Sequence, residues 1–147
     1  KGIQFIWQTG KSGIASAEKY ENELEGVRAS PFIDRMDIAY RAADVVISRS
    51  GAMSVAELCA LGKPSIFVPF PFASEDHQTA NARLLVDQQA ACMINDAAVI
   101  ETLKPVLYEL LEDEQKRASF TVKMKQMALL DADEFIAQQI IKKLSGD

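Results

Sequence analysis

Short apolar runs alternate with longer amphipathic stretches along the first two thirds of the chain. Ile3-Gln4-Phe5-Ile6-Trp7 predicts a strand, Thr9-Gly10-Lys11-Ser12-Gly13 the loop after it, and residues 14–24 a largely polar helix broken by Gly26. Val27-Arg28-Ala29 reads as a second short strand. Ser30-Pro31 stops it, because a residue before proline is pushed out of the helical region. Asp34 has the chemistry of a helix cap, which predicts a short helix over 36–43. Residues 45–48 form the next strand and 53–61 the helix after it, ended by Gly62-Lys63-Pro64. Ser65-Ile66-Phe67-Val68-Pro69 has the unbroken apolar character of a strand buried on both faces. An irregular loop over 69–74 leads into a helix over 77–89, and 91–94 is a last short strand. Strand alternating with helix predicts an α/β fold, a Rossmann-like parallel sheet with helices on both faces.

After Asn95 the periodicity becomes helical throughout, with helices predicted over 97–111, 115–130 and 132–144. Val99, Leu103, Val106, Leu107, Leu110 and Leu111 recur at helical spacing, as a core-facing stripe does. Lys104-Pro105 either kinks that first helix from within or marks its true start.

Composition narrows the classes. The 147 residues fit one domain spanning 1–147, with 48% hydrophobic and 25% charged residues, an ordinary globular balance. A net charge of −5 argues against a nucleic-acid surface. No apolar run approaches the roughly 20 residues of a membrane span. Cys59, Cys92 and the lone His77 make no metal set, so the two thiols are expected to be free and buried, as in a reducing cytoplasm. Gly10-Lys11-Ser12 imitates the end of a P-loop, but the glycine that motif needs at position 5 is Phe5. The chain opens on Lys1-Gly2 with neither a starting Met nor a leader, and so has the look of a piece of something longer.

The candidate chemistry centres on Ser48-Arg49-Ser50-Gly51-Ala52-Met53-Ser54-Val55-Ala56-Glu57, between a strand and a helix. Ser50, Gly51 and Ala52 are small enough for a tight turn. The helix beginning near Met53 offers unpaired N–H groups and a positive dipole end to a phosphate. Glu57, one turn further on, can share that face and accept from sugar hydroxyls. The residues alone also fit a plain strand–turn–helix with Glu57 solvated. Ligands of open parallel sheets bind beyond the carboxyl ends of the strands. Ile33, the 50–54 turn and the loop leading to Gln78 all follow strand ends and are expected to meet at one crevice.

Three separated segments carry a resemblance: Ala-Asp-Val-Val-Ile-Ser-Arg-Ser-Gly-Ala-Met-Ser-Val-Ala-Glu (43–57), Leu-Gly-Lys-Pro-Ser-Ile-Phe-Val-Pro-Phe (61–70) and Asp-His-Gln-Thr-Ala-Asn-Ala (76–82). In this order they resemble the MurG family of glycosyltransferases, as do Phe32-Ile33-Asp34 and Trp7-Gln8-Thr9-Gly10-Lys11. The resemblance implies the donor-binding C-terminal half of a two-domain GT-B enzyme, lacking its first strand and helix and the acceptor domain before them. That enzyme transfers N-acetylglucosamine from UDP-N-acetylglucosamine to undecaprenyl-pyrophosphoryl-N-acetylmuramoyl pentapeptide, lipid I, forming the peptidoglycan precursor lipid II. It works on the cytoplasmic face of the plasma membrane, touching it through the missing domain, and needs no cofactor. By the same resemblance the backbone of Ile33 reads the uracil edge. Ala52, Met53 and Ser54 present amides to the diphosphate, Val55 and Ala56 belong to the same donor-binding stretch, Glu57 takes the ribose hydroxyls and Gln78 the sugar hydroxyls. Arg49 either supports the turn or lends charge to the diphosphate; His77 caps its helix or takes part in catalysis; Asn81 braces the loop. No catalytic residue is assigned in this piece, and the general base is expected from the missing domain. Two alternatives stay open: a donor-binding subunit of another lipid-linked N-acetylglucosamine transferase, and a non-catalytic nucleotide-binding or interaction module.

Overall fold

The computed structural model describes residues 2–145; Lys1, Gly146 and Asp147, inside the expected domain, lie outside the described residues. The chain divides into two compact units, Lys1–Ala43 and Asp44–Asp147. All paired strands are parallel, as the alternating pattern requires.

In the first unit β1 (Phe5–Gln8), α1 (Ile14–Glu23), β2 (Val27–Ser30) and α2 (Met36–Ala42) follow one another. β1 and β2 pair in parallel from Phe5↔Val27 to Gln8↔Ser30, so their carboxyl ends stand side by side. β1 begins at Phe5 rather than at Ile3 because pairing starts where Phe5 N–H donates to Gly26 O at 2.8 Å, next to the turn that Gly26 makes at φ 86°. Ala17 of α1 and Val27 of β2 are buried, and Trp7 packs against Tyr20 with ring centroids 6.3 Å apart. Asp34 does not cap α2. The cap is Arg35, whose carbonyl takes the N–H groups of Ile38 and Ala39, and Asp37 in the first turn receives the Arg35 guanidinium at 2.9 and 2.8 Å. The helix ladder opens one residue later than the cap chemistry of Asp34 suggests.

The second unit holds β3 (Val46–Ser48), α3 (Ala52–Leu61), β4 (Ser65–Phe67), α4 (His77–Asp87), β5 (Cys92–Met93), α5 (Val99–Glu112), α6 (Glu114–Gln126) and α7 (Ala132–Ser145). Its sheet runs β3-β4-β5. The central β4 is wholly buried, in keeping with its unbroken apolar run. Ile66, Val68 and Ile94 from the sheet region meet Leu107, Leu110 and Phe120, while Val99, Leu103, Val106 and Leu111 pack around them. The stripe on α5 therefore faces the core. Pro105 lies inside α5, so the helix starts well before it.

α3 closes on Gly62 at φ 63°, with Gly62 N–H donating to Cys59 O and Lys63 N–H to Leu58 O, both at 3.0 Å. This is the paired hydrogen-bond pattern of a Schellman motif, which places its glycine in the left-handed region. Asp113 alone separates α5 from α6 and caps the latter, its Oδ1 accepting Lys116 N–H at 2.8 Å. α6 ends at Gln126 rather than 130; Leu129 and Leu130 are exposed. Of the two free thiols only Cys59 is fully buried. Cys92, half-buried, lines an open cavity of about 550 Å³ with residues of α4, α5 and α6. Among the described residues no helix is long and apolar enough to cross a membrane.

Candidate functional site

The turn after β3 is built around Ser50, which is fully buried. Its Oγ donates to Gln78 O at 2.8 Å, and its own carbonyl accepts Asn81 Nδ2 at 3.0 Å. These two bonds tie the entrance of α3 to the first two turns of α4. Sequence reasoning sees in Ser50 only a small turn residue; partners 28 and 31 residues away leave no local pattern. Asn81 braces this turn.

α3 starts at Ala52, one residue earlier than expected, after Gly51 in extended conformation. Gly51 O accepts Val55 N–H at 3.0 Å, so the N–H groups of Ala52, Met53 and Ser54 stand ahead of the helical ladder. No side chain caps them, and a Cβ placed on Gly51 would meet nothing within 4 Å. Ala52, Met53 and Ala56 are exposed, Ser54 and Val55 half-buried. Glu57 is exposed on the second turn and, among the described residues, makes no ion pair or side-chain hydrogen bond. An open donor cluster at a positive dipole end with an unpaired carboxylate one turn on suits a ligand carrying phosphate and hydroxyl groups.

Arg49 points its guanidinium at the end of β4. Nη1 donates to Val68 O and Pro69 O, each at 3.1 Å, and pairs with Asp96 Oδ1, while the group lies 5.5 Å from the Phe70 ring centroid. These contacts brace the β4 exit. From there Phe70 N–H donates to Gln78 Oε1 at 2.9 Å. The amide of Gln78 thus spends its acceptor on the backbone and keeps Nε2 as a donor. Between these two residues Glu75 (φ 52°) and Asp76 (φ 55°) both adopt the left-handed region. Two consecutive non-glycine residues there cost on the order of 1–3 kcal/mol each. His77, the first residue of α4, is exposed.

Ile33 belongs to the first unit, in the loop after β2, and is half-buried. Its N–H donates to Gln8 Oε1 at 2.9 Å. Gln8, which sequence reasoning gives no role, therefore holds the very amide expected to read a base. The second unit thus brings the 50–57 segment together with Gln78 and Asn81, and the first brings Ile33 together with Gln8. Among the described residues no cluster of His, Cys, Asp or Glu could hold a metal ion.

The family profile described as Glycosyltransferase family 28 C-terminal domain matches residues 1–140. A protein of Christiangramia forsetii, named UDP-N-acetylglucosamine--N-acetylmuramyl-(pentapeptide) pyrophosphoryl-undecaprenol N-acetylglucosamine transferase, is 41% identical over 99% of this chain. One of Flavobacterium psychrophilum with the same name is 43% identical over 97%. The chain spans only 39% and 38% of these relatives. Among solved structures, a crystal structure of Acinetobacter baumannii MurG superposes with a TM-score of 0.80 at 32% identity, covering 90% of this chain and 41% of that one. With a profile match over nearly its whole length, relatives sharing two residues in five and this structural likeness, the chain belongs to the glycosyltransferase family 28 C-terminal domain family.

Proposed function

We propose that this chain is the donor-binding part of a cytoplasmic enzyme that transfers N-acetylglucosamine from UDP-N-acetylglucosamine to lipid I, making lipid II. The observation that carries the reading is the uncapped first turn of α3 with Glu57 beside it, tied through Ser50 to Gln78. In this reading residues 1–147 act as a single donor-binding domain. The amides of Ala52, Met53 and Ser54 hold the diphosphate, the Ser54 hydroxyl adds a donor, and Val55 and Ala56 carry the helix on behind them. As the anomeric bond breaks, negative charge grows on the departing UDP, and these fixed donors and the helix dipole stabilise it without reorganising. Glu57 accepts from the vicinal ribose hydroxyls, one per carboxylate oxygen. Gln78 donates through Nε2 to a sugar hydroxyl, its acceptor being engaged by Phe70. Ile33 reads the uracil edge. Arg49 supports the site through the β4 exit.

The acceptor 4-hydroxyl attacks the anomeric carbon and UDP leaves. The base for that hydroxyl and the peripheral contact with the inner face of the plasma membrane belong to the remainder of the longer protein. The relatives' names supply donor and acceptor, and the matched region is the family's C-terminal domain. Calorimetric titration with UDP-N-acetylglucosamine tests the reading. Glu57→Ala removes charge-assisted hydrogen bonds worth about 1.5–3 kcal/mol each, so its Kd is expected to rise at least tenfold. Equal affinity in wild type and variant would count against it.

A further inference from the structure

At the carboxyl end of the β1–β2 pair an exposed side chain holds a main-chain amide of the next loop. Gln8 is the last residue of β1 and sits in register with Ser30, the last residue of β2. Ser30 O accepts Thr9 N–H at 2.9 Å and Ser30 Oγ donates to Phe32 O at 2.6 Å, so the backbone leading to Ile33 is anchored to the strand ends. Gln8 Oε1 then accepts Ile33 N–H at 2.9 Å, across 25 residues of sequence. A carboxamide presents a carbonyl acceptor next to an N–H donor. The O4 and N3–H edge of uracil presents the same pair. The carboxyl end of parallel strands is also where open α/β sheets take their ligands.

We infer that Gln8 is a further residue of the nucleobase subsite: its carboxamide satisfies the Ile33 amide in the nucleotide-free chain, and uracil takes over that bond by displacing it. The inference rests on Ile33 being the base contact, as proposed above. Gln8 then competes with the base, and every uridine nucleotide gives up part of its binding energy to dislodge it. That cost falls on uracil and not on cytosine. Cytosine carries an amino donor where uracil carries O4, so that position cannot accept Ile33 N–H and a cytosine seated like uracil gains nothing there when Gln8 moves away.

The test measures binding of UDP and of CDP to the 147-residue chain as wild type, Gln8→Ala and Gln8→Asn. Gln8→Asn keeps a carboxamide on a stem one methylene shorter, too short to span the same gap. Removing a competing hydrogen bond of ordinary strength tightens UDP binding roughly two- to tenfold. Both variants are expected to show that gain while the affinity for CDP stays within twofold of wild type. A brace that merely kept the loop in place would weaken UDP and CDP together on substitution, and that result would overturn the inference. Unchanged UDP affinity in both variants would overturn it too while leaving Ile33 as the base contact. A wild type that does not bind UDP at all would remove the donor-site reading and this inference with it.

Discussion

Asp37 shows how one neighbour sets a residue's chemistry. The hydrogen bonds from the Arg35 guanidinium hold its carboxyl at about 2, below the usual carboxylate range. A carboxyl depressed in the folded state contributes stability above the unfolded value, and that contribution disappears as pH falls through the folded one. The pair therefore acts fully at neutral pH, and its contribution falls away progressively as pH drops from the ordinary carboxylate range to about 2. A carboxyl-carbon NMR titration of Asp37 is expected to give a midpoint near 2, and Arg35→Ala to return it to the ordinary range. The same scale explains why only some candidate site residues are legible in sequence. Glu57 stands out because an acid one turn past a small-residue turn is a local pattern. Gln8 does not, because its partner lies 25 residues away and a strand-end glutamine has no local reason to point there.

Among the elements, the junction of α3 and α6 is the most exacting. A Cβ on Gly62 would stand 2.7 Å from Lys125 Cγ and 3.0 Å from the backbone oxygen of Thr121, on top of the left-handed backbone. Lys125 can swing aside but the α6 carbonyl cannot. Gly62→Ala is therefore expected to lower unfolding free energy by about 1–2 kcal/mol for the backbone alone, with more from the contact with α6. Urea denaturation reads this as a lower midpoint at unchanged slope. Gly62-Lys63-Pro64 announced this helix end because its glycine and proline act locally. The end of α6 was not announced: Leu129 and Leu130 continue a helical pattern yet meet no core, and packing rather than periodicity decides where that helix stops. β4 was plain from its apolar run, whereas the first turn of α2 turned on which carbonyl opened the ladder.

Taken whole, the molecule distributes its core unevenly. Among the described buried apolar residues Ala17 and Val27 alone lie in Lys1–Ala43; the rest, from Leu58 to Met124, lie in Asp44–Asp147. Phe5, Ile6 and Trp7 of β1 remain exposed. Local opening free energy follows buried apolar contact. Amides of β4 and the buried face of α5 are expected to exchange with deuterium at least tenfold more slowly than those of β1 and β2, about 1.4 kcal/mol of opening free energy. Equal protection would contradict the assignment of stability to the second unit's core.

Ser50, Gln78 and Asn81 close a small ring of hydrogen bonds between two helix entrances. In the proposed donor site, the span from the diphosphate at α3 to the sugar at Gln78 is consequently a fixed gauge, like the jaws of a calliper locked by a single screw. Neither jaw could be re-cut alone: under that proposal a donor one bond longer or shorter would meet one of them and miss the other, and the length of the nucleotide diphosphate would become part of what is recognised.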